Sequence, residues 1–265
     1  MRKYLAVFKT SLINVLEYRW NFLVGRLRNL ILLLTLYFLW KSVFGPQQNL
    51  FGYSLAAMFT YVVGSHLARS IILLTNTTSI AAEITGGGKF LSYLVRPISY
   101  LKYWFSLDLA YKLTDLTAAV LEVAAIVWFF KIPLIFQKNL VLVAATAISV
   151  ILAIILNFYL GYLVSLAAFW TPQAWGPRFL FDLLLSFSAG AFFPLDVFGP
   201  KIAAAFSTLP FYYLLFFPVN VYLGRIEPIS IFTGLVITLV WIGILITITQ
   251  FVWQRGLRVY EGGGI

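Results

Sequence analysis

Six long apolar stretches constrain the fold of this chain more than any other feature of its sequence. A helix needs about 20 apolar residues to cross a hydrocarbon core of about 30 Å, and each stretch reaches that length. With 62% hydrophobic and 11% charged residues, too little polar surface remains for a water-soluble globule of 265 residues. We therefore expect an all-α integral membrane protein, residues 1–265 forming a single domain with six transmembrane helices. The expected spans cover approximately residues 22–44, 52–74, 107–130, 140–170, 179–198 and 229–253.

The distribution of positive charge predicts the orientation of these spans. If the N-terminus is cytosolic, fourteen of the 19 Lys and Arg residues fall on the inner side and five on the outer side. The positive-inside rule favours this arrangement, which places both termini in the cytosol. Contact with anionic lipid at the inner leaflet explains the net charge of +10, so we expect membrane lipid and no nucleic acid as a partner.

Several kinds of chemistry are excluded or poorly supported. The chain has no cysteine and one histidine, which excludes disulfides and thiolate or multi-histidine metal sites. Residues 86–89 superficially resemble a phosphate loop, but the Ser or Thr after Lys89 and a preceding strand are missing. We expect no nucleotide site, no metal site and no enzymatic activity in this chain.

Two segments outside the spans have distinctive patterns. Residues 1–20 place Leu5, Phe8 and Leu12 on one face of a helix, which predicts an amphipathic interfacial helix with Trp20 as an aromatic anchor. The alternative is a plain extension of the first span.

The second segment, residues 191–228, is apolar but contains five of the ten prolines. Because proline interrupts helices, this composition predicts short broken helices in an outer re-entrant hairpin before the last span. The alternative, a seventh span, would place Arg255 and Arg258 outside, against the charge bias.

Ionisable residues within the spans need partners or a function, because burial of each costs about 2.5–3.5 kcal/mol. Asp108, Asp115 and Glu122 are seven residues apart on one helical face, and Lys112 is spaced to pair with both aspartates. Glu122 has no partner in its own helix. It could carry protons or meet a cationic substrate, or it could be protonated or hydrogen-bonded to a neighbouring helix.

The second span contains a further polar pair. His66 and Arg69 are three residues apart, hence on one face, and could line a path through the bundle. Arg69 could instead extend to the inner headgroups. With Glu122, these residues keep open a proton- or ion-coupled secondary transporter as an alternative function, and less favourably a membrane-embedded enzyme.

The polar, glycine-broken segment 76–103 lies between the second and third spans on the cytosolic side. A soluble protein that supplies the energy for a conformational change could bind the membrane protein there. Glu83-Ile84, Gly86 to Gly88 and Leu94 to Pro97, with Gly190 to Leu195, resemble motifs of permease subunits of type-2 ABC exporters, in a subgroup with a Glu-Ile, glycine, Leu-x-Arg-Pro pattern.

The resemblance implies that residues 77–91 include a coupling helix seated in a groove of a separate ABC ATPase, which would hold ATP and Mg²⁺. The residues we expect to couple are Thr77, Ile80, Glu83, Ile84, Gly86, Lys89, Phe90, Leu91 and Arg96. It also implies a second, related but different permease, a path between the first, second and fifth spans, and the cytoplasmic (inner) membrane of a prokaryote. The cargo would be amphipathic or hydrophobic, of the drug, lipid or glycan class.

Overall fold

A computed structural model describes residues 2–17, 19–86, 88–171, 173 and 175–260. Over these residues the regular secondary structure is helical apart from a two-stranded ribbon, Asn49–Leu50 with Tyr53–Ser54. The helices are α1 (Arg2–Glu17), α2 (Arg19–Phe44), α3 (Leu55–Ala68), α4 (Thr78–Thr85), α5 (Gly88–Leu94), α6 (Tyr100–Phe130), α7 (Leu140–Ser165), α8 (Trp175–Ser188), α9 (Pro200–Phe206), α10 (Phe216–Tyr222) and α11 (Pro228–Val259). A π turn (Arg69–Leu73) follows α3, and 3-10 turns occur at Leu166–Phe169, Leu195–Phe198 and Pro210–Tyr213.

Five helical stretches in the described residues are long and apolar enough to cross a membrane. They are Phe22–Phe44, Leu55–Thr85, Tyr100–Phe130, Leu140–Phe169 and Pro228–Val259. Five of the six expected spans therefore coincide with or lie largely within such a stretch, and an all-α membrane protein is confirmed. The last three have 30 to 32 residues, or about 45–48 Å, so they are about 15 Å longer than a hydrocarbon core.

The expected fifth span, residues 179–198, is helical only as far as Ser188. The 14 residues of α8 rise about 21 Å, less than a hydrocarbon core. The helix ends because Gly190 adopts a left-handed conformation, φ +77°, which is common at helix C-termini. A Cβ at this position would lie 2.7 Å from the Tyr61 hydroxyl, which donates a hydrogen bond to the Gly190 carbonyl. A crossing at this point remains a prediction.

The proline-rich segment after α8 consists of short helical pieces, the longest of which are the seven-residue α9 and α10. Buried α10 packs against α3 and α7. A polar cluster fastens the segment to the ribbon, because the Tyr53 hydroxyl lies 3.0 Å from Asp196 and 3.1 Å from Asn220, and Arg225 pairs with Asp196 at 2.9 Å. Its entry into the membrane remains a prediction.

Helix α1 packs along α6. Near its start Lys3 donates to the Pro97 carbonyl, and the Tyr4 hydroxyl accepts from the Ser99 amide at 3.1 Å. Trp20, the expected anchor, is 72% exposed. The helix expected at the N-terminus is present, and its placement in the headgroup region remains a prediction.

Candidate functional site

The second span ends irregularly after the π turn, and a buried lysine donates hydrogen bonds to the free carbonyl groups there. After the π turn, Leu74 leaves the helical conformation (φ −59°, ψ 125°) and the carbonyls at the end lose their helical partners. Lys112 Nζ donates to the Ile72 carbonyl at 2.8 Å and to the Leu74 carbonyl. Its side chain is 1% exposed, so this lysine serves as a buried helix cap.

Two further side chains complete the junction. One oxygen of Asp108 lies 3.3 Å from Lys112 Nζ, and the other accepts from the Asn76 amide at 3.0 Å. Asn157, on α7, donates to the Ile72 carbonyl at 2.7 Å. The end of the second span is thus hydrogen-bonded to α6 and α7.

The expected pairing of Lys112 with both aspartates is wrong in part. Lys112 pairs with Asp108, but Asp115 pairs with Arg26 on α2 at 2.7 Å. Helical spacing along α6 cannot reveal this, because the preferred partner comes from another helix.

Arg26 also binds Glu122, the third of the regularly spaced acids on α6. Its Nε donates to Glu122 Oε1 at 2.7 Å and its Nη2 donates to the other carboxylate oxygen, a bidentate arrangement. His66 Nε2 lies 3.4 Å from Glu122 Oε2. We call Arg26, His66, Asp115 and Glu122 the charge cluster; it joins α2, α3 and α6. Of the accounts left open for Glu122, the structure supports a bond to a neighbouring helix.

Arg178 contacts Thr77, immediately before α4. It also forms an ion pair with Asp182 at 3.0 Å. In addition, Arg178 Nη1 donates to Thr77 Oγ1 at 3.0 Å, and the Ser165 hydroxyl donates to the Thr77 carbonyl at 2.7 Å. Gly161 permits the approach, because a Cβ there would lie 2.5 Å from Thr77 Oγ1. From the sequence, Arg178 can be paired only with Asp182 at i+4, and its contact with Thr77 cannot be predicted.

Helices α4 and α5 are attached to three spans through what we call the aromatic cluster. Its members are Phe90, Tyr93, Tyr100, Trp104, Phe158, Tyr162, Phe169 and Trp253, contributed by α5, α6, α7 with its 3-10 turn, and α11. The fully buried Phe90 ring lies 5.3 Å from Tyr100, 5.7 Å from Phe169 and 5.9 Å from Trp253, measured between ring centroids. These edge-to-face contacts are favourable beyond the area they bury.

Burial divides the expected coupling residues into two groups. Ile80, Ile84 and Phe90 are at most 1% exposed and pack into the aromatic cluster. Thr77 is buried and hydrogen-bonded to Arg178 and Ser165. These four cannot present their side chains to a partner in this conformation. The exposed members are Gly86, Lys89, Leu91 and Arg96.

Glu83, on α4, contacts both α5 and α6. Its carboxylate lies 2.7 Å from Lys89 Nζ and accepts from the Tyr100 hydroxyl at 3.0 Å. The hydrogen bond to Glu83 raises the pKa of Lys89. The Glu83 side chain is only 9% exposed whereas that of Lys89 is 69% exposed. Glu83 therefore stabilises the packing of α4 against α5 and α6.

The outward side of α4 is formed by Thr78, Ala82 and Thr85, all exposed. A cavity of about 280 Å³ lies beside it and is bordered by Trp175, which is 79% exposed. We call Thr78, Ala82 and Thr85 the outer face of α4. It is available to a binding partner.

Several helices long and apolar enough to cross a membrane are typical of multi-pass membrane proteins. Residues 30–264 match the family model described as ABC-2 family transporter protein, so the chain belongs to that family. It is therefore a membrane component of an ABC transporter, a permease, and membership implies an ABC ATPase as partner. No curated protein and no solved structure matches the chain.

Proposed function

We propose that this chain is the transmembrane subunit of an ATP-driven exporter, coupled to a separate ATPase through residues 76–103. In this proposal it has six spans, α8 and the chain after it completing the fifth. A second, related but different permease completes the path along the first, second and fifth spans, and the cargo is amphipathic or hydrophobic. ATP and Mg²⁺ bind to the ATPase.

The attachment of α4 and α5 to three long spans is the observation that carries the proposal. Ile80, Ile84 and Phe90 join them to α6, α7 and α11, and Thr77 joins them to α8 through Arg178. A close-packed contact transmits displacement. A force applied to the outer face of α4 would therefore move four membrane helices together.

The remaining features of the proposal are orientation and location. Fourteen positive charges on the side of α4 and α5 support a cytosolic position for both termini and for these helices. We place the complex in the cytoplasmic membrane of a prokaryote, with α1 in the inner headgroup region and residues 191–228 re-entrant from outside.

The carrier alternative loses its main support from the structure. It was attractive because Glu122 had no partner in its own helix, whereas the bidentate contact with Arg26 supplies one. The contact of Glu122 with His66 is the observation that still favours proton movement. Glu122→Gln distinguishes the two once transport is expressed per folded molecule, because the substitution also removes a partner of Arg26. A carrier would lose proton coupling, whereas an ABC permease would retain ATP-dependent transport.

The test is purification from the native membrane with a tag at the C-terminus. Thr85→Arg places a long cation on the outer face of α4, and Gln47→Arg places the same side chain on an exposed loop at the opposite end. We expect the wild type and Gln47→Arg to retain a nucleotide-binding subunit with ATPase activity, and Thr85→Arg to lose at least nine-tenths of it. Equal unfolding temperatures of the two variants would show that both are folded.

A wild-type protein that purifies without any ATPase, under conditions that preserve other membrane complexes, would overturn the proposal. Retention of the ATPase by Thr85→Arg would show that the contact lies elsewhere on the cytosolic surface.

A further inference from the structure

A polar cavity of about 240 Å³ lies between α2, the π turn after α3 and α8. Arg28, Arg69 and Arg178 line it together with Asp115 and Asp182. Burying ionisable side chains in a membrane protein is unfavourable, and side chains buried in this way often mark a functional path.

The charges of this cavity do not cancel. Asp115 is paired with Arg26, and Asp182 is paired with Arg178. Among the described residues, neither Arg28 nor Arg69 has an acidic partner. The cavity therefore contains two guanidinium groups without an acidic partner in the described part of the chain, and its three arginines against two aspartates leave a surplus of one positive charge.

Arg69 is the better defined of these two groups. Its guanidinium lies over the Phe192 ring, 5.1 Å from the centroid, a cation–π contact. Its Nη2 is buried and has no hydrogen-bond partner within the described parts of the chain. A buried donor without an acceptor is unfavourable, and more so when it is charged. An oxyanion that reached this nitrogen from the cavity would supply the missing acceptor.

The chemistry of the lining selects the ligand. Guanidinium groups match phosphate and carboxylate oxygens in a planar, bidentate geometry. The Asn29 amide and the Ser70 hydroxyl also line the cavity and could donate to the same group.

The neighbouring surface of α8 is apolar. Phe179, Leu183 and Phe187 follow Arg178, Asp182 and Ser186 by one residue each, so the apolar row lies about 100° around the helix axis from the polar row. The apolar row is 43–54% exposed. A hydrocarbon chain could lie on it while a headgroup occupies the cavity.

We propose that this cavity binds the anionic headgroup of an amphiphile, with Arg69 and Arg28 as its ligands and the apolar row of α8 beside the tail. This deepens the proposed function, on which it rests for the role of the ligand as cargo. It narrows the cargo from amphipathic or hydrophobic compounds to amphiphiles with a phosphate or carboxylate headgroup.

The test is equilibrium binding of radiolabelled dodecyl phosphate to the full-length protein in phosphatidylcholine nanodiscs. We expect saturable binding to one site per chain, no comparable binding of neutral dodecanol, and weak competition by inorganic phosphate. Arg69→Gln and the exposed Arg28→Gln should each weaken binding at least tenfold. Lys138→Gln, which removes an exposed positive charge from the loop after α6, should not change it.

Unchanged binding in both arginine variants, or equal binding of dodecanol, would overturn the proposal. Inorganic phosphate that binds as tightly as dodecyl phosphate would overturn its amphiphile part. Because the measurement needs no ATP hydrolysis, specific binding without a co-purifying ATPase would preserve this site and reject the exporter, which separates the two failures.

Discussion

At the scale of single residues, the charge cluster explains how three spans tolerate four ionisable side chains. Arg26 faces two acids at hydrogen-bonding distance, and its side chain is 6% exposed. A charge buried this deeply depends on its partners, because the cost of removing it from water is offset only by close, well-aligned contacts.

Arg26→Gln should therefore be among the most damaging substitutions in the chain. It leaves Asp115 and Glu122 without their cation, and removing one partner of a buried ion pair typically costs about 3–5 kcal/mol. We expect a clearly lower unfolding temperature in detergent, followed by intrinsic fluorescence. Arg255→Gln, which removes an exposed arginine from α11, should change the unfolding temperature little. An Arg26→Gln protein as stable as wild type would contradict the assigned contacts.

The sequence predicted that these acids need partners but not which residue supplies them. Residues at i+3 and i+4 can be paired from the sequence, which is why the pairing of Lys112 with Asp108 could be predicted. Arg26 reaches Glu122 across 96 positions, and no periodicity within one segment encodes that.

At the scale of elements, α4 and α5 depend on the spans to which they are attached. Eight- and seven-residue helices are too short to be stable alone in water. Their buried side chains in the aromatic cluster must supply the stability they lack.

Phe90→Ala should detach α4 and α5 from the spans while the spans remain folded. Deleting a buried phenylalanine costs about 3–5 kcal/mol in a well-packed core. We expect faster amide hydrogen exchange over residues 78–94 and little change in α7 outside the aromatic cluster. The adjacent Leu91 is 44% exposed, so Leu91→Ala is the matched control with a small effect. Equal exchange in the two variants would show that Phe90 does not anchor the segment.

Sequence reasoning located this segment between two spans but did not separate its buried side chains from its exposed ones. Glycines and polar residues between apolar runs predicted where the span ends and the segment begins, and the structure breaks the helix there. Which side chains turn inward could not be predicted, because Ile80 and Phe90 are buried by residues from α6, α7 and α11 that are distant in sequence. For the same reason the end of α8 was missed, since apolarity continues beyond the turn at Gly190.

At the scale of the whole molecule, six crossings with both termini inside predict a specific pattern of accessibility. The chain contains no cysteine, so single cysteines can be introduced without background. Cysteines at Gln47 and Lys138 should react with an impermeant maleimide in intact cells, whereas those at Thr85 and Arg258 should react only after permeabilisation. Labelling of position 258 from outside would instead support a seventh span.

The charge bias and the apolar lengths lead from the sequence to this topology, which stays a prediction, whereas the arrangement of helices around one another cannot be predicted in this way. The cavity between α2, the π turn and α8 depends on that arrangement, so Arg28 and Arg69 could not be associated from their spacing.

The most direct measurement of the central claim is a site-specific crosslink from the outer face of α4. A cysteine at Ala82, which is exposed in the middle of that face, would carry a short photo-activated crosslinker in native membranes, with a cysteine at Gln47 as the matched control. The account predicts that position 82 forms an adduct with the ABC ATPase and that position 47 does not. An intact complex in which position 82 forms no adduct with the ATPase would contradict it.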